Sequence, residues 1–225
     1  MSISWTREKA LAIFRETNIV PVVRVKSPDE AFCAIEGIIH AGIATVEITM
    51  TIPHALTIMA KVSDRFGDQM LLGAGTVLDA ETCRAALLAG AEFIVSPAFD
   101  RRVVEMTRRY GKISIPGTLT PTEVLMAWEA GADLVKVFHC GLAGGPKYIR
   151  ALKGPFPQIE FLPTGGINLA IAPEYIMAGA TAVGVGEGIL DPDALRSGNV
   201  AVIAANGRKY VEAIQSARNA KGAVG

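Results

Sequence analysis

Two charged residues interrupt apolar, strand-like stretches of this sequence: Lys136 in GADLVKVFHCG (131–141) and Glu47 in TVEIT (45–49). Ammonium and carboxylate groups are almost never fully buried alone, because desolvating them costs several kcal/mol. Either the two charges form a structural salt bridge, or they serve a reaction. In the second reading a desolvated lysine has a depressed pKa and offers a neutral amine to a carbonyl. A nearby carboxylate then moves protons. Buried ion pairs often add little net stability, so the chemical reading is the stronger one. Strand residues alternate faces, which sets Leu134, Lys136 and Phe138 on one side, opposite Asp133, Val135 and Val137. Glu47 likewise shares a face with Thr45 and Thr49, opposite Val46 and Ile48.

The rhythm of the chain indicates what positions them. HAGIATVEI (40–48), LAGAEFIVS (88–96), EAGADLVKV (129–137) and MAGATAVGV (177–185) repeat one pattern: a helical end closing in Ala-Gly, a spacer, then a β-rich run. Glycine past a helix end takes the left-handed cap conformation, and the Val/Ile-rich run behind it suits a strand. IVPVVR (19–24), MLLGAG (70–75), KISIPG (112–117) and IEFLPTGG (159–166) lie between these copies. Eight candidate strands thus alternate with eight candidate helical segments. Ser27-Pro28-Asp29-Glu30 and Thr120-Pro121-Thr122-Glu123 each offer a capping hydroxyl, a first-turn proline and the Glu of a capping box. Apolar strands separated by amphipathic helices predict an all-parallel sheet closed as a (β/α)8 TIM barrel, one domain over residues 1–225. A first helix over about residues 4–17 precedes the first strand and is expected to close the barrel bottom, and KGAVG at the end is expected to fray.

Composition removes several classes of function. Lys+Arg and Asp+Glu balance at 22 each, so neither a nucleic-acid surface nor a basic membrane face is expected. The N-terminal stretch is charged and amphipathic, unlike a signal peptide or a membrane span. Cys33, Cys83 and Cys140 are scattered and odd in number, which suits reduced thiols in a cytoplasm. His40, His54 and His139 show no ligand spacing with cysteine or carboxylate, so no metal and no cofactor are expected.

In such a barrel the active site lies at the C-terminal ends of the strands. GAGTVL (73–78) after the third strand leaves backbone amides open to an anion or carbonyl, although it also reads as a tight turn. IVSPAF (94–99) and ISIPGT (113–118) end strands with proline, which stops the ladder and shapes rim loops. PTGGIN (163–168) and GVGEGI (184–189) end the seventh and eighth strands, where many barrels hold a phosphate on glycine amides.

In order, VEIT, GAGTVL, SP, IPG, VKVF and PTGGIN resemble the class I pyruvate aldolases of the 2-keto-3-deoxy-6-phosphogluconate (KDPG) aldolase and 4-hydroxy-2-oxoglutarate aldolase family. The resemblance covers roughly residues 15 to 215, with the motifs on the expected strands. It implies that Lys136 is the Schiff-base lysine and Glu47 the general acid/base. It further implies that Thr76, Pro97, Phe138 and Thr164 line a pyruvate pocket, and that Gly165 and Gly166 lie near a phosphate. Gly186 joins them through the second glycine loop. A homotrimer is implied as well. Four residues at three places depart from the family pattern. Thr51 stands where the KDPG branch has arginine, Glu187 where many relatives have serine, and His139-Cys140 follow a phenylalanine that usually precedes proline. A carboxylate at 187 repels a phosphate, so at most a modest preference for phosphorylated substrate is expected. The activity implied is reversible cleavage of a 2-keto-4-hydroxy acid to pyruvate and an aldehyde. Two other classes fit the residues: an isomerase or epimerase using Glu47 for proton transfer, and a non-catalytic barrel that binds a keto acid.

Overall fold

β-Branched side chains suit a half-buried pleated surface, and the amphipathic stretches between them cover that surface as helices. The structure, a computed structural model, describes residues 5–222. Its strands are β1 (Ile19–Val23), β2 (Thr45–Thr49), β3 (Leu71–Gly75), β4 (Phe93–Val95), β5 (Ile113–Ile115), β6 (Gly117–Thr118), β7 (Val135–Val137), β8 (Phe161–Pro163) and β9 (Val183–Val185). The helices are α1 (Arg7–Thr17), α2 (Pro28–His40), α3 (Ala55–Phe66), α4 (Ala80–Leu88), α5 (Arg101–Arg109), α6 (Pro121–Glu129), α7 (Pro146–Lys153), α8 (Ala172–Met177), α9 (Pro192–Ser197) and α10 (Val200–Gly222).

The strands pair in parallel, β5-β4-β3-β2-β1-β9 in one sheet and β6-β7-β8 in another. The fifth expected strand is broken in two at Pro116, which has no N–H to give the ladder. Across that break Leu134 donates to Ser114 O and Lys136 to Pro116 O, and a Thr164–Gly184 bridge joins the two sheets at the other gap. The result is the expected (β/α)8 barrel, with eight staves and the fifth in two pieces. Each Ala-Gly helix end behaves as predicted: Gly42, Gly90, Gly131 and Gly179 all have positive φ. Thr120 and Glu123 form a complete capping box at α6. At α2 only half the box forms, because the Glu30 carboxylate accepts from Lys26 N–H instead of from Ser27.

Alternation divides the core in two. Val46, Ile48, Leu72, Ala74, Val135, Val137, Val183 and Val185 pack under the helices. Val20, Leu71, Phe93, Val95, Ile113, Ile115, Leu134 and Leu162 fill the lower lumen, and Ala10 and Phe14 of α1 enter from below. Phe14 meets Phe93 edge-on with ring centres 5.1 Å apart. The N-terminal helix therefore plugs the barrel as expected. It starts at Arg7, capped by Thr6, rather than at residue 4. After β9 the chain makes two helices, α9 and the 23-residue α10, with Gly198 in the left-handed region between them. Residues 223–225 of the tail expected to fray lie outside the described residues.

Candidate active site

Above the apolar layer the lumen becomes polar. Lys136 sits mid-β7, between Gly117 of β6 and Leu162 of β8, and is only 5% exposed. Its Nζ lies 5.3 Å from the centre of the Phe138 ring. Glu47 sits mid-β2, between Val22 and Gly73, and is 1% exposed. Among the described residues no ion pair includes either group, and Glu47 Oε2 is buried without a hydrogen-bond partner. A structural salt bridge would not leave both groups in that state. Orphaned buried polar atoms call for another explanation, and a reacting ligand is one.

Small residues make the room. A β-carbon at Gly75 would collide with Glu47 Oε1, so glycine at the end of β3 admits the carboxylate. The next residue, Thr76, has φ 59°, a left-handed conformation costing about 1–3 kcal/mol for a residue with a side chain. Such outliers cluster at functional sites. Pro97 follows β4, and its backbone lies where a β-carbon at Gly117 would be. Gly117 is in turn the ladder partner of Lys136, so Pro97 stands two staves from the lysine with Gly117 between them.

The mouth is a cavity of about 710 Å³ lined by Phe138, Thr164, Gly165, Gly166 and Gly186, all expected site residues. Thr164 Oγ1 is buried there without a partner. Glu47, Lys136, Thr76 and Pro97 are not among the walls of this cavity; they belong to the lumen and the opposite rim. Glu187 does line the mouth. Thr51 is held by a 3.0 Å hydrogen bond between its hydroxyl and that of Thr49. Two residues went unassigned from sequence. Arg24 ends the first stave, lines the mouth, and has Nη1 3.4 Å from the place a Gly186 β-carbon would take. Its signal was the one that marked Glu47, a charge at the C-terminal end of an apolar strand. His139, noted from the sequence only as a departure from the family pattern, packs against the Gly165–Gly166 turn. Its neighbour Cys140 turns into the core, where burial pushes the thiol up to about 11 against a smaller opposing effect of the Tyr175 hydroxyl. No group of three or more His, Cys, Asp or Glu that could hold a metal occurs among the described residues.

A buried amine and an orphaned carboxylate in one lumen, under a glycine-walled mouth, suit carbonyl chemistry. Residues 11–206 match the family of KDPG and KHG aldolases. The chain belongs to that family. It is 38% identical to the 2-dehydro-3-deoxy-phosphogluconate aldolase of Treponema pallidum, over 71% of this chain and 75% of that one. It is 33% identical to the 2-dehydro-3-deoxy-6-phosphogalactonate aldolase of Escherichia coli, over 88% of this chain and 96% of that one. Among solved structures it resembles the KDPG aldolase of Legionella pneumophila with pyruvate captured at low pH as a covalent carbinolamine intermediate. That match has a TM-score of 0.82 at 30% identity and covers 88% of this chain and 96% of the other. Membership in the aldolase family makes the chain a lyase.

Proposed function

We propose that the chain is a class I aldolase that reversibly cleaves a 2-keto-4-hydroxy acid, of the KDPG or 4-hydroxy-2-oxoglutarate type, to pyruvate and an aldehyde. One observation carries the reading: Lys136 is buried in the polar half of the lumen without a carboxylate partner among the described residues. A carbinolamine like that of the Legionella relative requires an amine, and Lys136 is the amine here. In cleavage, Nζ of Lys136 adds to the ketone at C2 and water leaves, giving an iminium. Glu47, directly or through a water, takes the proton of the C4 hydroxyl as the C3–C4 bond breaks. The bonding pair moves into the iminium, leaving an enamine, and the aldehyde departs. The Glu47 carboxyl returns the proton to C3, and water hydrolyses the iminium to pyruvate and free lysine.

Thr76 and the amides of its turn hold the pyruvate carboxylate, with Pro97, Phe138 and Thr164 closing the pocket. Gly165, Gly166 and Gly186 offer amides to the far end of the substrate. Arg24 adds there the positive charge that Thr51 lacks, opposed by Glu187. The iminium serves as electron sink, so the reading includes metal independence: turnover is expected to persist after exhaustive EDTA treatment, and loss restored by a divalent cation would overturn it. The chain is further read as one barrel domain, cytoplasmic and homotrimeric. Family resemblance supports the trimer, together with the apolar outer side of α6, where Leu125, Met126 and Trp128 are exposed. The deciding experiment is borohydride reduction with pyruvate followed by intact-mass and peptide mapping. One reduced pyruvyl group on Lys136 is expected. An unlabelled protein, or a label on another lysine, sinks the mechanism and leaves proton transfer by Glu47 alone.

A further inference from the structure

The aldol chemistry uses groups in the lumen, yet the wall above them carries an imidazole. His139 follows Lys136 by three residues and lines the mouth together with Arg24, Gly165 and Gly166. Backbone bonds fix its place. Beyond β7 and β8 the ladder continues, with Cys140 N–H donating to Thr164 O and Gly141 N–H to Gly165 O, both at 3.0 Å. The ring lies against the glycine turn: a β-carbon at Gly165 would stand 2.6 Å from Cδ2 and 2.8 Å from Nε2, and one at Gly166 3.2 Å from Cε1. Gly165 and Gly166 have φ of 94° and 71°. The turn thus admits the ring only because it is built of glycine.

The two ring nitrogens differ. Nδ1 is buried with no hydrogen-bond partner. An unmatched lone pair is cheaper to bury than an unmatched N–H, which assigns the proton of the neutral ring to Nε2. Nε2 makes no hydrogen bond among the described residues and is not sealed off like Nδ1. We propose that His139 is a specificity-determining residue whose Nε2–H donates to an oxygen on the aldehyde half of the substrate, with Arg24 meeting that half from another wall of the same mouth. The class selected is an aldehyde bearing a hydroxyl, carboxylate or phosphate oxygen beyond the reacting carbon, in preference to an alkyl aldehyde. A site built to hydrogen-bond an oxygen discriminates against the analogue that lacks it. This inference rests on the aldolase reading.

The test runs the condensation of pyruvate with glyceraldehyde and with propanal, and takes the ratio of kcat/KM for the two. In His139→Ala the ratio should fall about tenfold, while exchange of pyruvate methyl protons with solvent, which needs no aldehyde, stays at its original rate. His139→Gln, whose amide N–H reaches the position of Nε2, should keep the ratio. His139→Asn, whose N–H sits near the position of Nδ1, should not. An unchanged ratio in His139→Ala overturns the proposal. So does an equal loss for both aldehydes and for methyl exchange, which marks a structural role. If the alanine variant folds poorly, the Gln/Asn contrast decides alone, and equal ratios in those two variants overturn it. Absence of methyl exchange in the unsubstituted protein defeats the aldolase reading, and this inference with it.

Discussion

Gly75 determines where the Glu47 carboxylate can stand, since any β-carbon there collides with Oε1. Two substitutions therefore bear on one proton transfer. Glu47→Gln removes the titrating group and is expected to slow exchange of pyruvate methyl protons by about a hundredfold or more. Gly75→Ala keeps the carboxylate but moves it, and a misplacement of about 1 Å costs a comparable factor. Proton NMR of pyruvate in D2O follows both, and normal exchange in Glu47→Gln would assign the proton to another group. At this scale Lys136 and Glu47 were legible because each interrupts an otherwise apolar strand. Arg24 obeys the same rule but ends its strand, where a charge looks merely solvent-facing. Its meeting with Gly186 depends on β1 pairing with β9, a contact between the two ends of the sequence that local pattern does not reveal. The orphaned Nδ1 of His139 is likewise a product of tertiary packing.

The capping box of α6 is an element read correctly from four residues. Thr120 Oγ1 accepts from Glu123 N–H, and the Glu123 carboxylate accepts from Thr120 and Leu119 N–H, which holds that carboxyl below its ordinary range. Thr120→Ala is expected to cost about 1 kcal/mol of stability, seen as a lower denaturant midpoint, with methyl exchange unchanged. A change in exchange without one in the midpoint would show that this loop serves the site directly. Other elements were less legible. Pro116 marked the end of the fifth strand, yet pairing resumes at Gly117, because the neighbouring strand still offers partners past the proline. Glu30 offered a second capping box, but Lys26 N–H competes for its carboxylate.

For the whole molecule, apolar strand runs separated by amphipathic helices foretold the parallel barrel, while its division into an inner and an outer core became visible only in the structure. Closure itself follows from counting eight staves, but the plugging of its lower end depends on Phe14 reaching Phe93. Association between copies is the least legible property, since an exposed apolar side chain is common on any surface. Leu125, Met126 and Trp128 nevertheless crowd one helix with 39%, 43% and 43% exposure. Light scattering at micromolar concentration is expected to give three times the 23.7 kDa chain mass, and Trp128→Glu to lower it. A single-chain mass for the unsubstituted protein would remove the trimer from the reading.

The Phe14 plug has one more consequence, for traffic. A barrel stopped at its lower end is a blind vessel, and everything that enters must return through the same neck. Pyruvate would be tethered at the floor and the aldehyde would lie nearer the opening. Cleavage then imposes a queue in which the aldehyde exits first, because it alone is untethered when the bond breaks. The water that finally cuts the tether arrives along the lane the aldehyde has vacated. The order of release would thus be set by the covalent tether, while the closed lower end sends both products out through the same neck.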